Sequence, residues 1–99
     1  MDKFAILAVM TAKPGREKEV EEFLKSAQPL ALMEPETSNW YAVRLGTSEF
    51  GIFDTFREES GREAHLNGKV AEALFAKAED LFSAPPTVEK LDIIASMTH

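Results

Sequence analysis

Asp54 and His65 are the two residues whose types and spacing could do chemistry together. Asp54 lies in the segment Gly51–Phe56, GIFDTF, which has the composition of a strand but carries an acid where a buried strand normally carries an aliphatic residue. His65 follows one loop later, in a short helical segment. Because an imidazole titrates near neutral pH, His65 is the candidate general base. Asp54 is the candidate that orients His65 and raises its basicity.

A structural interpretation of the same residues stands beside the catalytic one. His65 could pair only with Asp54 or with a backbone carbonyl. Asp54 could instead form a cross-strand ion pair with Arg44, since both are predicted to lie on the strands of one hairpin. A buried acid needs a partner in either case.

Aromatic side chains around this pair predict an apolar pocket, the usual form of a small-molecule site. Strand alternation places Asp54 on the same face as Phe50, Ile52 and Phe56, and we take this face as the pocket side. The alternative is that most of these aromatic residues form plain core or a subunit interface. The predicted substrate-binding residues are Trp40, Tyr41, Arg44, Phe50 and Phe56.

Periodicity and turn residues predict six main elements. Pro29 should kink or interrupt the first helix, and Ser60 with Glu63 has capping-box spacing at the start of a short helix that breaks at Asn67-Gly68. The predicted segments are a strand at Phe4–Met10, a helix at Arg16–Ala27, strands at Asn39–Leu45 and Glu49–Phe56, a helix at Lys69–Phe82 and a strand at Thr87–Ser96.

The order strand, helix, strand, strand, helix, strand predicts a single α+β domain over residues 1–99. With right-handed crossovers it gives a ferredoxin-like βαββαβ sandwich, in which helices cover one face of a four-stranded antiparallel sheet. Phe4–Met10 is apolar on both faces, so both faces need cover. The helices cover one face of the sheet, and a second subunit would have to cover the other. We therefore expect a homodimer through the open sheet face, which is a dimeric α+β barrel.

Composition excludes several functions. The net charge of −6 argues against nucleic acid and anionic membranes, which need a basic patch. The chain has no cysteine, no Gly-rich phosphate loop and no clustered histidines, so we expect no metal or other cofactor. The N-terminus leads directly into a strand without an export signal, and with the missing cysteines this predicts a cytoplasmic protein.

Several blocks of the sequence resemble the antibiotic biosynthesis monooxygenase family, which consists of small dimeric α+β barrel proteins. The opening FAILAVMTAKPGREKEVEEFL is similar to that family's first strand, Lys-Pro-Gly turn and acidic helix. The Glu34-Pro35 pair, Asp54 in GIFDTF and His65-Leu66 at the end of GREAHL also resemble it. The resemblance implies a homodimer with one pocket per subunit, between sheet and helices, and oxidation of anthrones or quinols by O₂ without a cofactor.

The chain departs from the family pattern at three places. Many members carry a tryptophan near Phe56, and this chain does not. Haem-degrading relatives place a histidine on the long helix and an asparagine in the first strand, and both are missing here, which argues against haem degradation. Glu36 stands where the family's turn has glycine.

Two functional hypotheses follow. The first is a cofactor-independent monooxygenase that oxidises a small aromatic, phenolic or quinol-type substrate with O₂, with Arg44 or Tyr41 stabilising the substrate anion. The second is a non-enzymatic dimer that binds a small apolar or aromatic ligand or acts as an accessory protein. An open cavity with a free nitrogen of His65 facing it would favour the first hypothesis. A closed cavity with His65 bound only to Asp54 and backbone would favour the second, or no ligand at all.

Overall fold

The computed structural model describes residues 1–99 and contains four strands and three helices in the predicted order. None of the helices combines the length and the apolar character that crossing a membrane requires. The elements are β1 (Phe4–Thr11), α1 (Glu17–Leu32), β2 (Thr37–Arg44), β3 (Glu49–Phe56), α2 (Glu59–Leu66), α3 (Lys69–Leu81) and β4 (Thr87–Asp92).

The strands form one antiparallel sheet in the order β2-β3-β1-β4. This is the ferredoxin-like arrangement that the order of elements predicted, with β1 and β3 at the centre. Asp54 therefore lies on a central strand, opposite Ile6 of β1 on one side and Trp40 of β2 on the other.

The helices cover one face of the sheet, and the core lies between them. Alternate residues of the central strands, such as Met10, Phe50 and Ile52, pack there against Val20 and Leu74 of the helices. The opposite face has no cover within the chain. Its outer-strand residues Tyr41, Val43 and Leu45 are exposed, Tyr41 to 55%.

Helix α1 continues through Pro29, where we expected a kink or an interruption. A proline inside a helix removes one backbone hydrogen bond. Ala27 and Ala31 on either side of Pro29 are buried, so packing against the rest of the fold holds the last turn in place.

Two other local predictions are wrong. Helix α2 begins at Glu59 after an extended Glu58, so Ser60 lies inside the helix and forms no capping box. Strand β4 ends at Asp92 rather than at Ser96. Its partner β1 begins at Phe4, so the chain after the bond from the Ile93 N–H to the Lys3 carbonyl has no strand to pair with.

Helix α2 is tied to the sheet by Arg62, which is buried. Its guanidinium donates hydrogen bonds to the carbonyls of Ala5 (3.4 Å) and Leu91 (3.0 Å), on β1 and β4, and to the Glu59 carboxylate. It also lies 5.0 Å from the centre of the Phe4 ring. These contacts fix the position of the helix that carries His65.

Gly61 brings α2 against the loop between α1 and β2. A Cβ atom at Gly61 would lie 2.9 Å from Glu36 Cβ and 3.2 Å from the Glu36 carbonyl oxygen, neither of which is a flexible side-chain end. The loop that contains Glu34 can therefore approach α2 only because residue 61 is glycine.

We predict that Gly61→Ala destabilises the protein although alanine favours helices. Overpacking costs about 1–3 kcal/mol, which exceeds the gain of at most about 1 kcal/mol from helix propensity. The denaturant midpoint measures the net loss. Gly46→Ala is the matched control, because nothing lies within 4 Å of a Cβ there. Equal midpoints for the two variants would contradict the prediction.

Candidate functional site

His65 lies between two carboxylates, one on each of its ring nitrogens. Its Nε2 atom is 2.8 Å from Asp54 Oδ2, and its Nδ1 atom is 2.5 Å from Glu34 Oε1. All three side chains are largely withdrawn from solvent: Asp54 is 0% exposed, His65 6% and Glu34 19%. The site is a buried acid–imidazole–acid series.

Three separate parts of the chain supply these groups. Asp54 comes from the centre of β3, His65 from the last turn of α2, and Glu34 from the loop that follows α1. The last turn of a helix favours a cation because the carbonyl ends of the helix dipole point there. The ring of Phe56, also from β3, packs against the His65 ring with centroids 5.5 Å apart.

Each carboxylate uses one oxygen on the histidine. Glu34 Oε1 also accepts a hydrogen bond from the Thr37 hydroxyl at 2.8 Å, whereas Oε2 has no partner. Asp54 Oδ1 has no partner either, and Oδ2 meets Nε2 as a close ion pair that is poorly aligned for a hydrogen bond. Each acid therefore keeps one buried oxygen without a hydrogen-bond partner.

The site holds protons more tightly than its isolated groups would. Burial raises the pKa of Asp54, and the nearby His65 opposes this effect only in part. Burial by itself would lower the pKa of His65, but the hydrogen bond and charge of Asp54, followed by those of Glu34, outweigh burial and raise it. Both directions mean that the pair retains a shared proton to higher pH.

An apolar cavity of about 190 Å³ lies on the Asp54 side of the histidine, between the sheet and α2–α3. We call it the inner cavity. Asp54 and His65 are its only polar lining residues, and Phe75 and Val88, both partly exposed, lie at its rim. The other lining residues are aliphatic: Ile6, Ala8, Ile52, Leu66, Val70, Ala71 and Leu74.

A second space, about 540 Å³, lies on the Glu34 side of the histidine, and we call it the outer groove. Glu34, Glu36, Thr37 and Lys69 give it a polar lining. His65 is the one residue that lines both spaces. The imidazole therefore forms part of the wall between them.

The structure divides the predicted substrate-binding residues among different places. Trp40, Arg44 and Phe50 line a third space of about 550 Å³, between α1 and β2, which shares no residue with the inner cavity. Tyr41 is on the open sheet face, and Phe56 is fully buried beside His65. Only Phe56 accompanies the Asp54–His65 pair closely.

The predicted ion pair between Arg44 and Asp54 does not form. Arg44 lies opposite Phe50 near the hairpin end, four residues along β2 from Trp40, which is the residue opposite Asp54. The Arg44 guanidinium instead binds the Glu21 carboxylate of α1 and lies 5.7 Å from the Phe50 ring centre. The strand register thus leaves His65 as the partner of Asp54.

Three potential metal-ligating side chains meet at this site, but they do not form a metal-binding group. The two carboxylates contact opposite nitrogens of one ring. Their oxygens therefore point toward the imidazole from two sides and do not converge on a point that a cation could occupy.

Glu34 is the site residue that the sequence did not identify. The Glu34-Pro35 pair is noticeable only as part of a family resemblance, and nothing in its spacing indicates a contact with His65, 31 residues later. An acid between the exposed Met33 and a proline looks like an ordinary loop residue. Only the approach of the loop to α2 reveals its role.

Comparison with known proteins supports the fold. A protein of unknown function from Nitrosomonas europaea is 46% identical, with a TM-score of 0.95, over 100% of this chain and 96% of that chain. A "putative antibiotic biosynthesis monooxygenase" from the same organism has a TM-score of 0.81 at 10% identity, covering 93% and 99% of the two chains. Another so described, from Caulobacter crescentus, has a TM-score of 0.77 at 16% identity, covering 95% and 92%. These two likenesses show a shared fold, as the sequence resemblance implied. No protein-family model and no curated protein matches the sequence.

We predict that the protein loses stability as the pH rises from neutral. Because the pKa of His65 is raised in the folded state, its stabilising contribution is complete below the ordinary value of 6.5 and is lost as the pH passes the folded-state pKa. The slope for one proton is at most about 1.4 kcal/mol per pH unit. Urea unfolding between pH 6.5 and 9 measures it.

His65→Gln should remove this pH dependence, whereas His99→Gln, in the exposed C-terminal tail, should leave it unchanged. A slope that persists in His65→Gln would assign the pH dependence to other groups.

Proposed function

This chain belongs to the same family as the Nitrosomonas europaea protein of unknown function, and we propose that it is a cofactor-independent monooxygenase acting on small phenols or quinols. One observation carries the proposal: an apolar cavity whose only polar lining residues are Asp54 and His65, with Asp54 Oδ2 and His65 Nε2 2.8 Å apart. Its fold, shared with structures described as antibiotic biosynthesis monooxygenases, agrees with this proposal but does not by itself establish an activity.

The size of the inner cavity favours one aromatic ring. Its volume of about 190 Å³ is below the range of roughly 300–1,000 Å³ for drug-sized ligands. It is slightly larger than an engineered apolar cavity of about 150 Å³ that binds benzene. We therefore narrow the expected substrate from anthrones and quinols in general to a one-ring phenol or quinol.

Asp54 is the group that receives the substrate's proton in this proposal. The sequence favoured His65 as the general base, but both of its nitrogens already face carboxylates. Asp54 Oδ1 is buried without a partner, and its carboxylate lines the inner cavity. A raised pKa brings a carboxylate closer to the neutral range in which a general base is most effective.

The reaction balances without a cofactor. Asp54 takes a phenolic proton, and the quinol anion, which is a strong electron donor, forms a C–O bond with O₂. The resulting peroxide anion takes the proton back from Asp54, and the hydroperoxide loses water as the ring carbon becomes a carbonyl. Overall, a quinol and O₂ give a hydroxyquinone and water, and the substrate supplies all four electrons.

The charge of the site selects a neutral ligand. With His65 protonated between two ionised acids, the series carries one net negative charge in surroundings of low polarity. An anionic ligand would be repelled there, whereas a neutral phenol can donate its O–H to Asp54 Oδ1. A phenol should therefore bind in preference to a benzoate.

A binding or accessory role is the second candidate, and one observation favours it. Neither nitrogen of His65 is free to face the cavity, because Glu34 and Asp54 occupy both, and a paired histidine of this kind suits a structural role. In this case the protein would bind the same neutral phenols without oxidising them.

We predict that the metal-free protein consumes oxygen with methyl-substituted hydroquinones. Asp54→Asn should lower the rate by about 10²-fold or more, the usual effect of losing a general base. Asp80→Asn removes a charge from an exposed position of α3 and is the matched control. An electrode measures oxygen uptake, and phenol binding is titrated alongside.

Two outcomes would contradict the proposed reaction, one its base and the other its oxidation step. Equal rates in Asp54→Asn and wild type would exclude Asp54 as the base. Binding of phenol without any oxygen uptake would favour the binding or accessory role.

We also propose a homodimer through the open sheet face. The apolar residues Leu7, Val9 and Phe53 at the centre of this face are only partly buried within the chain, and Tyr41, Val43 and Leu45 beside them are exposed. A continuous apolar surface of this kind is typical of an interface between subunits. Two such sheets packed face to face would bury it.

We predict that Val43→Asp weakens the dimer at least about 100-fold, because each interface would bury two unpaired carboxylates. Leu32→Asp adds the same charge at an exposed position of α1 and is the control. Sedimentation over a concentration series measures the association. A wild-type protein that stays monomeric at micromolar concentration would rule out this dimer.

A further inference from the structure

His65 separates two spaces, and a different acid stands on each side of it. Asp54 faces the inner cavity, and Glu34 faces the outer groove. Each acid has one oxygen at the imidazole and one without a partner. The proposed reaction uses Asp54 but assigns nothing to Glu34.

We propose that Glu34 is a positioning residue that holds His65 as an imidazolium, so that the histidine closes the inner cavity as a fixed cation and leaves Asp54 as its ionised, proton-accepting group. The use of Asp54 in catalysis rests on the proposed function. The locked state of His65 does not, because it follows from contacts within this chain.

The hydrogen-bonding capacity of the three groups carries this inference. A neutral imidazole has one N–H donor and one acceptor nitrogen, whereas an ionised carboxylate only accepts. A neutral His65 would therefore direct a lone pair at either Asp54 or Glu34, at 2.8 Å or 2.5 Å. Only the imidazolium turns no lone pair toward either acid: its Nδ1–H donates to Glu34 Oε1, and its positive charge lies 2.8 Å from Asp54 Oδ2 as a close ion pair.

The surroundings of Glu34 keep it an acceptor at a fixed position. The Thr37 hydroxyl donates to the same oxygen that meets His65. The other oxygen lies against the chain at the start of α3, 3.0 Å from where a Cβ of Gly68 would be. Gly61 and Gly68 thus leave the room in which the Glu34 loop approaches the histidine.

Other charges near the site are few or already paired. Lys69 on α3 and Glu36 in the loop line the outer groove with opposite charges. Farther along α2, Arg62 binds Glu59, and Glu63 binds Lys90 of β4. Asp54 and Glu34 are the groups in direct contact with the ring, so they decide its charge.

Holding His65 as an imidazolium also explains why the histidine would not compete with Asp54 for the substrate's proton. An imidazolium has no lone pair to offer. Without Glu34, Nδ1 would lose its acceptor, and the ring could become neutral at a lower pH with its remaining proton on Nε2 toward Asp54.

Nitrogen-15 NMR of the His65 ring over a pH series tests the proposal on the substrate-free protein. In the wild type we expect the imidazolium signals to persist above pH 6.5, because the pKa of His65 is raised. In Glu34→Gln the titration midpoint should fall by about one pH unit or more, the effect of losing an opposite charge at this distance. Glu36→Gln removes the same charge from the same groove, without contact to the ring, and should change the midpoint much less.

A midpoint in Glu34→Gln equal to that of the wild type, or a wild-type ring that is neutral at pH 7, would overturn the proposal. If Glu34→Gln does not fold, Glu34→Asp withdraws the carboxylate by one methylene and should also lower the midpoint, and an unchanged midpoint there would overturn it as well. The NMR titration needs no substrate, so it is independent of the oxygen-uptake assay. If the imidazolium persists but the assay shows no turnover, the oxygenase is rejected and this inference stands.

Discussion

A carboxylate without exposed surface at the centre of the sheet is the constraint on which the rest of the site depends. An isolated ionised acid in such a place would cost several kcal/mol in lost hydration. The burial of Asp54 is compensated because α2 places Nε2 of His65 2.8 Å from its Oδ2 atom. Arg62 anchors α2 to β1 and β4, and Gly61 admits the neighbouring loop, so the geometry of the helix follows from the need to compensate one buried charge.

The second acid changes the chemistry of the pair. A histidine with one carboxylate partner has a nitrogen left for substrate, as in the familiar triads. With Glu34 on the other nitrogen, His65 has no nitrogen left for a substrate, which is why the proposed reaction uses the unpartnered oxygen of Asp54 as the proton acceptor. The apolar walls strengthen every charge interaction there, because little water competes for the charged groups.

The fold is shared with proteins described as antibiotic biosynthesis monooxygenases, yet the site must be judged by its own residues. The inner cavity, about 190 Å³ in volume, is what led us to propose a one-ring ligand for this chain. The relative with 46% identity over the full length is itself of unknown function, so the experiments proposed for this chain apply to both proteins.

The sequence determined the order of elements and the ferredoxin-like fold that follows from it, and strand alternation indicated which residues share a face with Asp54. These features depend on local signals: apolar periodicity, Pro-Gly turns and the alternation of side chains along a strand. Two local signals did not predict the observed structure: α1 continues through Pro29, and Ser60 lies inside α2 instead of capping it. At Pro29, packing of the helix against the rest of the fold outweighs the local preference. A contact such as Asp54 with His65 could be anticipated because an acid in a predicted central strand and one of only two histidines lie one loop apart.

Only the tertiary structure decided which groups share the site. The sheet register moved Arg44 to Glu21 and away from Asp54, since a displacement of four residues along a strand is longer than an arginine side chain can span. Glu34 joined His65 because the loop after α1 packs against α2, an approach that depends on how two helices sit on one sheet. Sequence spacing carries no information about a contact across 31 residues, and that contact adds to the effect of Asp54 in raising the pKa of His65.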